Sequence, residues 1–401
     1  MPNILTINGG SSSVRFAIFE PNEPPRRLLQ GKIDRIGGTD ACLIVGEAEN
    51  GEERRIRVDG GGGEANGDGR GAAIGFLMQW LEAQPLSKTL GGVGHRIVHG
   101  MHHTEPERVS TALLDEIKGF VAFDPEHLPR EIELIEAVSR RFPNLAQVAC
   151  FDTAFHRTMP GVATRLPIPR RYFDAGIQRY GFHGLSYTFL MQDLARQRDP
   201  AAAAGRVILA HLGSGASLAA VRNGRCIDTS MGFTPTAGLV MGTRSGDLDP
   251  GLMSYLAATE SMTASEFRTM VNHESGLLGI SQTSGDVRDL IAREQSDSRA
   301  AQALAIFCYQ AKKWIGSFAA ALGGLDTLVF AGGIGENSAP IRKRICEGLE
   351  FLGVHIDESA NDRHAGCISS ESAAVTTRVI RTDEESVIAA SSIRVLGLKP
   401  T

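Results

Sequence analysis

Two widely separated stretches of the chain share one pattern, in which an apolar run is followed by a glycine- and serine-rich turn and a second apolar run. Residues 5–19 read LTINGGSSSVRFAIF, and residues 207–221 read VILAHLGSGASLAAV. Alternation on both sides of such a turn predicts a β-hairpin. Glycines allow close approach of the backbone, so that turn amides and serine hydroxyls can face phosphate oxygens. Many ordinary hairpins turn on glycine and serine, but the repetition predicts a duplicated domain with one phosphate-facing hairpin in each half.

The bulk properties of the chain limit its function class. At 401 residues it is long enough for two domains, and a net charge of -5 argues against nucleic-acid binding and gives no sign of an anionic-membrane surface. No apolar run approaches the roughly 18 residues of a membrane helix, and no secretory signal is expected. The cysteines form no Cys-x-x-Cys pair, which predicts reduced, mostly buried thiols in a cytoplasmic protein and no zinc site; they are Cys42, Cys150, Cys226, Cys308, Cys346 and Cys367.

Residues 93–100, VGHRIVHG, form a predicted strand that carries an arginine and two histidines. The charged Arg96 in this apolar run has two interpretations: it pairs with a carboxylate at the end of the sheet, or it projects into a cleft to hold an anion. Asp152 directly follows another predicted strand, residues 147–150. Residues at this position line the crevice of α/β folds, but an aspartate there is also a common helix N-cap.

Two later segments combine glycine with basic residues. His183 lies between Gly181 and Gly184, in a loop where its imidazole could reach a ligand, although a lone histidine is more often structural. Residues 228–247 are dense in glycine, threonine and serine, and a loop of this length in a compact domain is usually functional. Within it, Arg244 resembles a second anion clamp.

Periodicity predicts helices over residues 72–83, 131–141 and 300–322, the last of them core-facing. A predicted strand at 327–330 runs into the glycine-rich segment 331–337 and a following helix, an arrangement that suits a nucleotide. Ser338 occupies the position of the last glycine in the dinucleotide fingerprint, and no Walker A lysine motif is present. Phosphate binding of another type is therefore expected.

Six motifs in order resemble the acetate/propionate kinase family of the actin, Hsp70 and sugar-kinase superfamily. The resemblance extends over about residues 3–384, and its motifs are residues 7–13, 94–100, 151–156, 180–184, 228–250 and 333–338. It implies an α/β protein with a duplicated two-domain, actin-like ATPase (ribonuclease H-like) fold and an active site in the interdomain cleft. Residues 1–151 with 386–401 would form the acid- and phosphate-side domain, and residues 152–385 the nucleotide-binding domain.

The resemblance also implies a reaction. ATP and acetate would give ADP and acetyl phosphate, reversibly, by direct in-line transfer with Mg²⁺, or Mn²⁺ as an alternative metal. The partners would be ATP or ADP and a small carboxylate, with neither nucleic acid nor membrane, in a cytoplasmic homodimer. The alternatives are a kinase for another short-chain carboxylate, such as propionate or butyrate, and a non-catalytic ATP-binding switch.

Site residues follow from the same resemblance. The catalytic set would be Arg96, Asp152, His183 and Arg244. Arg96 and Arg244 would hold the carboxylate and the phosphoryl group, and His183 would hydrogen-bond the phosphoryl group. Asp152 would orient the metal together with Glu384. A general base is not needed, because a carboxylate is already ionised at neutral pH. The acid would contact Arg96, Val98, His127, Phe182 and Pro235. The metal would be bound by Asn8 and Glu384. Nucleotide and phosphates would meet Asn8, Ser11, Ser13, Arg15, His211, Gly213, Ser214, Gly215, Asp286, Arg288, Gly333, Ile334, Gly335 and Asn337.

Several residues depart from the family's usual pattern. The main one is Glu126, which stands where the family usually has leucine beside the substrate's methyl group. A carboxylate is costly to bury against an alkyl group, so Glu126 either points outward or marks altered acid selectivity. The other departures are Arg15 for lysine, Ser214 for asparagine, Leu185 for threonine, Tyr187 for histidine and Ala237 for glutamate.

Overall fold

The computed structural model describes residues 2–10, 13–36, 41–47, 53–58 and 69–399. The chain divides into two compact units. The first runs to Ala154 and resumes at Asp383, and the second is Phe155–Thr382. Asp152 and Glu384 therefore belong to the first unit, whereas the boundaries expected from the sequence placed them in the second domain.

Both units combine strands with helices. The strands of the described residues are β1 (Asn3–Gly9), β2 (Val14–Glu20), β3 (Arg26–Asp34), β4 (Cys42–Glu47), β5 (Glu53–Arg57), β6 (Leu90–Ile97), β7 (Glu107–Arg108), β8 (Ala146–Phe151), β9 (Arg206–Leu212), β10 (Ala216–Arg222), β11 (Arg225–Thr229), β12 (Thr327–Ala331) and β13 (Thr376–Val379). Their α-helices are α1 (Arg70–Ala83), α2 (Thr111–Gly119), α3 (Leu128–Arg141), α4 (Gly161–Thr164), α5 (Arg170–Asp174), α6 (Gly184–Arg196), α7 (Pro200–Ala204), α8 (Gly251–Glu260), α9 (Ala264–Thr269), α10 (Gly276–Ser281), α11 (Val287–Arg293), α12 (Ser298–Leu322), α13 (Gly332–Asn337), α14 (Ala339–Cys346), α15 (Glu358–Asp362) and α16 (Glu384–Leu396). Short 3₁₀ segments occur at Pro85–Thr89, Phe120–Ala122, Asp152–Thr158 and Glu350–Leu352, and a π-helical turn at Met270–Glu274.

The two sheets repeat one five-strand arrangement. The first sheet has the order β5-β4-β3-β2-β1-β6-β8-β7, and the second has the order β11-β10-β9-β12-β13. In the first, β1 pairs antiparallel with β2 and parallel with β6, while β8 continues parallel from β6. In the second, β9 pairs antiparallel with β10 and parallel with β12, while β13 continues parallel from β12. Both predicted hairpins and the predicted duplication are confirmed.

The first sheet is covered by helices on both faces because its central strand is apolar on both. Leu5 and Ile7 of β1 belong to a core cluster shared with α1 and α3, whereas Ile4 packs in a cluster with Ala389 and Ile393 of α16. Neighbouring residues of a strand point to opposite faces, so β1 contributes to both clusters. A methyl group at Gly94 of β6 would lie 2.2 Å from Ser392 Oγ, so glycine is required for the close approach of α16.

The second sheet is packed in the same way. Val207, Leu209 and Val329 form a core cluster with Tyr187 and Leu190 of α6, and the long helix α12 contacts β9 and β10. The helices predicted over residues 72–83, 131–141 and 300–322 are confirmed as α1, α3 and α12, each beginning two or three residues earlier than the pattern indicated.

Three further sequence expectations can be compared with the fold. No helix or strand occupies residues 230–250, which confirms the long loop after β11. All six cysteines are free thiols, and four of them are buried. Among the described residues, no helix combines the length and apolar character that crossing a membrane requires.

Candidate active site

Arg96 lies near the end of β6 and connects two parts of the first unit. Its Nε and Nη2 donate hydrogen bonds of 2.9 and 2.6 Å to Asp152 Oδ2, and its Nη1 donates to the carbonyl of Gly9 at 3.3 Å. The carboxylate pairing that the sequence left open for Arg96 is therefore present, and its partner is the other predicted catalytic residue of this unit. Asp152 is fully buried at the start of a 3₁₀ segment directly after β8.

The electrostatic surroundings keep Arg96 charged. Burial alone would lower its pKa, but the nearby carboxylates, above all Asp152 and then Glu384, outweigh that effect and raise it. A guanidinium is weakly hydrated and presents several donors in one plane, so a fixed arginine at a strand end is suited to binding an anion.

The predicted metal residues Asn8 and Glu384 are in direct contact. Asn8, at the end of β1, donates from Nδ2 to Glu384 Oε2 at 2.8 Å and to Glu385 Oε1 at 3.3 Å, both at the start of α16. Burial and the neighbouring Glu384 raise the pKa of Glu385. Carboxylate and amide oxygens are the ligands that a hard cation such as Mg²⁺ prefers, so the donor set fits this metal.

Val98, which is predicted to contact the acid, is hydrogen-bonded to a buried carboxyl group that sequence reasoning missed. Glu131 of α3 is 2% exposed, and its Oε2 accepts the backbone N–H of Val98 at 2.8 Å. Burial raises the pKa of Glu131 to about 8, against the opposing effect of Arg96. The signal that could have revealed this residue is a single glutamate on the apolar face of a helix, between Leu128 and Ile135.

His127 and Glu126 precede α3. His127 Nδ1 lies 2.9 Å from Asp124 Oδ1, and its backbone N–H also donates to that oxygen. Burial alone would raise the pKa of Asp124, but these interactions with His127 lower it. Glu126 is half-buried, so the structure does not place it fully in solvent.

In the second unit, His183 and His211 stack on one another. Their ring centroids are 4.3 Å apart, and His183 has a left-handed backbone conformation with φ 62°. His183 Nδ1 lies 2.8 Å from Ser217 Oγ on β10, and His211 Nδ1 lies 2.8 Å from Ser186 Oγ. Tyr187, one of the departures from the family pattern, also hydrogen-bonds Ser217 through its hydroxyl. Ser217 therefore sets the orientation of the His183 ring.

His183 and Arg244 converge on the turn of the second hairpin. A methyl group at Gly215 would lie 3.4 Å from His183 Nε2 and 3.5 Å from Arg244 Nη2. Arg244 is held by a hydrogen bond of 2.8 Å from Nη1 to the carbonyl of Pro235. In the second unit, the predicted catalytic imidazole of His183 and the predicted catalytic guanidinium of Arg244 therefore both lie next to Gly215.

The same turn approaches the glycine-rich segment after β12. A methyl group at Gly213 would lie 3.8 Å from the backbone nitrogen of Gly333, at the start of α13. Two buried or half-buried residues that the sequence did not single out support this segment. Glu336 Oε1 accepts the N–H of Gly332 at 2.9 Å, and Arg342 donates from Nη1 to the carbonyl of Gly335 at 2.9 Å.

The remaining predicted residues occupy varied positions. Arg288 is exposed and pairs with Asp286 at 2.6 Å, and Asn337 Nδ2 donates to the carbonyl of Gly333 at 3.0 Å. Arg15 is exposed on β2, where its charge acts on Glu385. Val98, Phe182 and Gly335 are buried, and Ser13 and Ile334 are half-buried. The carbonyl of Ser214 accepts the N–H of Gly242 at 3.0 Å. Ser11 lies outside the described residues.

The predicted residues thus form two groups, one in each unit. The first unit holds the predicted metal residues and the predicted phosphate residues of the first hairpin, together with Arg96, Val98, His127 and Asp152. The second unit holds the predicted nucleotide residues from His211 onward, together with Phe182, His183, Pro235 and Arg244. The individual roles of these residues in binding and transfer stay predictions.

Comparison with known proteins covers nearly the whole chain. An acetate kinase from Rhodopseudomonas palustris (strain TIE-1) is 41% identical over 392 residues, 96% of either chain. A propionate kinase from Citrobacter rodentium (strain ICC168) is 40% identical over 399 residues, 98% of this chain and 96% of that one.

Solved structures agree with the sequence relatives. A propionate kinase from Francisella tularensis subsp. tularensis SCHU S4 superimposes with a TM-score of 0.88 at 36% identity, covering 98% of this chain and 99% of that one. An acetate kinase from Porphyromonas gingivalis gives a TM-score of 0.86 at 33% identity, covering 99% and 100% of the two chains. Residues 3–390 match the Acetokinase family, and the chain therefore belongs to this family.

Proposed function

We propose that the chain is a Mg²⁺-dependent kinase that transfers the γ-phosphoryl group of ATP to a short-chain carboxylate, with acetate as the preferred acid. The reverse reaction, from acyl phosphate and ADP, would use the same residues. The observation that carries this proposal is the convergence of His183 Nε2 and Arg244 Nη2 on the Gly215 turn, in a chain of the acetokinase family. A module that only senses a nucleotide has no need of this pair.

The proposed step is a direct in-line displacement. A carboxylate oxygen forms a bond to the γ-phosphorus while the bond to the oxygen bridging β- and γ-phosphate breaks, and ADP leaves with that electron pair. Charge spreads over the equatorial oxygens in the loose transition state, so fixed cations and donors provide most of the stabilisation. We assign Arg96 to the carboxylate, and His183 and Arg244 to the phosphoryl group.

Asn8 and Glu384 would hold the metal, with Asp152 nearby to orient its water ligands. When bound, Mg²⁺ or Mn²⁺ would neutralise charge on the ATP phosphates. The contact between Asn8 Nδ2 and Glu384 Oε2 fixes the amide and the carboxylate next to one another, which supports this assignment. The expected position of the active site between the two domains, and the homodimer, stay predictions; light scattering of the purified chain tests the latter.

Selectivity between acids is the second part of the proposal. The named relatives are acetate kinases and propionate kinases at nearly equal identity. One methylene is worth only about 1–3 kcal/mol in a pocket, so a single residue can change the preference. The half-buried Glu126 precedes His127 at the predicted pocket and is the residue of this chain most suited to do so.

Hydroxylamine trapping of acyl phosphate tests both parts. Formate, acetate, propionate, butyrate and lactate are each supplied with ATP and Mg²⁺, using the wild-type chain, Glu126→Leu, and Glu260→Leu as a matched control at an exposed site. A dominant acetate signal supports the proposal, and an unchanged acid profile in Glu126→Leu excludes that residue from selectivity. ATP hydrolysis without acyl phosphate from any acid would refute the kinase and favour the ATP-binding switch.

A further inference from the structure

A cluster of two histidines and one glutamate lies in the first unit, outside the residues assigned to phosphoryl transfer. His102 and His103 follow the turn after β6, and Glu116 lies in α2; we call these three residues the His–Glu cluster. His102 Nε2 is 3.2 Å from Glu116 Oε1, and His103 Nε2 is 3.3 Å from Glu116 Oε2. One donor atom from each residue lies within 4.8 Å of the others. We propose that the His–Glu cluster binds a Zn²⁺ ion.

The spacing of the donors fits this ion. Zinc bonds of about 2.0–2.2 Å in a tetrahedral site place neighbouring ligand atoms about 3.3–3.5 Å apart. His102 Nε2 lies close to this distance from one carboxylate oxygen of Glu116, and His103 Nε2 lies close to it from the other. His103 and Glu116 therefore need little movement to admit the ion, whereas the exposed His102 ring, which stacks on His103, would have to turn its Nε2 toward it.

The second observation concerns the contacts of the two ring nitrogens of His103. Its side chain is 8% exposed, and its Nδ1 lies 2.7 Å from Glu107 Oε1, to which it donates. Its Nε2 is buried and makes no hydrogen bond to any residue that the structure describes. With Nδ1 donating to Glu107, the Nε2 atom faces Glu116 Oε2 at 3.3 Å, a contact that either a proton on Nε2 or a cation between the two atoms would make favourable.

The surroundings of His103 are those of a metal ligand. A histidine that binds metal through one nitrogen usually donates its other N–H to a carboxylate, which sets the tautomer and the ring orientation. Glu107 is this carboxylate. The His103 ring also stacks on Phe151 with centroids 5.0 Å apart, so this ring is held in place before the ion arrives.

The donor set distinguishes this ion from the predicted Mg²⁺. Two imidazole nitrogens and one carboxylate suit zinc, whereas magnesium prefers oxygen ligands and retains its waters. The His102 and Glu116 side chains are 68% and 40% exposed, so the ion can enter from solvent and a fourth position remains for water. Bound zinc would tie the segment that follows Val98 to helix α2.

Calorimetric titration of the tag-free, full-length chain with Zn²⁺, in excess Mg²⁺, tests the proposal. We expect one Zn²⁺ per chain, and at least tenfold weaker binding in His102→Gln and Glu116→Gln, which change exposed residues and should fold. Glu107→Gln should weaken binding by roughly 10- to 100-fold through the orientation of His103. His355→Gln, at an exposed histidine of the second unit, is the matched control and should bind as the wild type does.

Imidazole ¹H–¹⁵N spectra give an independent readout. Zinc should shift Nε2 of His102 and His103, while Nδ1 of His103 keeps its proton. Absence of stoichiometric binding, or binding that both His102→Gln and Glu116→Gln leave unchanged, would overturn the proposal. Protons on both nitrogens of His103 throughout the titration would identify the His–Glu cluster as an ion pair instead.

Discussion

Replacing Glu131 by glutamine should stabilise the first unit at neutral and alkaline pH, and the reason lies in the burial of this carboxyl group. Glu131 is 2% exposed, and its Oε2 accepts the N–H of Val98 at 2.8 Å. Its other oxygen, Oε1, is buried without a hydrogen-bond partner among the described residues. Burial raises the pKa of Glu131 to about 8, so the folded chain holds it protonated at neutral pH.

The size of the effect follows from linkage. An unfolded glutamate titrates near 4.5, so between 4.5 and about 8 the folded state binds a proton that the unfolded state has lost. The stabilising contribution is fully present below 4.5 and is lost as the pH rises through about 8. Each pH unit in this interval of roughly 3.5 units lowers the free energy of unfolding by about 1.4 kcal/mol. The total loss of unfolding free energy is therefore about 5 kcal/mol as an upper bound. Glutamine keeps the acceptor for Val98 but does not titrate, so this loss should disappear.

The two tryptophans permit an assay of one unit at a time. Trp80 lies in α1 of the first unit, with its ring 5.7 Å from that of Phe16, and Trp314 lies in α12 of the second. With Trp314→Phe in every background, urea unfolding followed by Trp80 fluorescence reports the first unit. We expect Glu131→Gln and its parent to be similar near pH 4.5 and to diverge steadily toward pH 8.

A matched control lies on the same helix. Glu136 is half-buried and pairs with Lys118 near the surface, so Glu136→Gln should change the free energy of unfolding by less than about 1 kcal/mol, without that pH trend. If Glu131→Gln instead destabilises the first unit equally at all pH values, Glu131 is ionised in the folded chain and stabilised by Arg96. That outcome would refute the reasoning.

Three shorter predictions concern the proposed kinase. Asp152→Asn removes the negative charge of the group that accepts two hydrogen bonds from Arg96, and should lower kcat in the hydroxamate assay by roughly 10²-fold or more. A smaller change would exclude a role of Asp152 in orienting the metal and Arg96. Ser217→Ala removes the partner of His183 Nδ1 and should lower kcat roughly five- to tenfold with little change in KM for ATP, whereas unchanged kcat would show that the ring needs no such support. Gly333→Ala adds a methyl group that meets no atom within 4 Å, so thermal stability should not fall. If adenosine lies beside Gly333, the KM for ATP should rise severalfold. An unaltered KM for ATP would show that Gly333 is not part of the nucleotide site.

The local patterns of the sequence were sufficient for much of the fold. Both hairpins and the helices α1, α3 and α12 were predicted because alternation and three-to-four spacing are properties of adjacent residues. The repeated glycine–serine turn also predicted the duplication, which the common strand order of the two sheets confirms. The order of six motifs was enough to indicate the family, since each motif is contiguous in the chain.

Tertiary structure decided which polar residues are buried together. Glu131 meets Val98 from another element, and the contact between Ser217 and His183 joins a strand to a loop. The His–Glu cluster was likewise missed, because its glutamate lies on a helix that packs beside the histidines only after folding. Sequence determined the local conformation and the family, whereas burial, hydrogen-bond partners and pKa values depend on neighbours that are distant along the chain and were decided only by the fold.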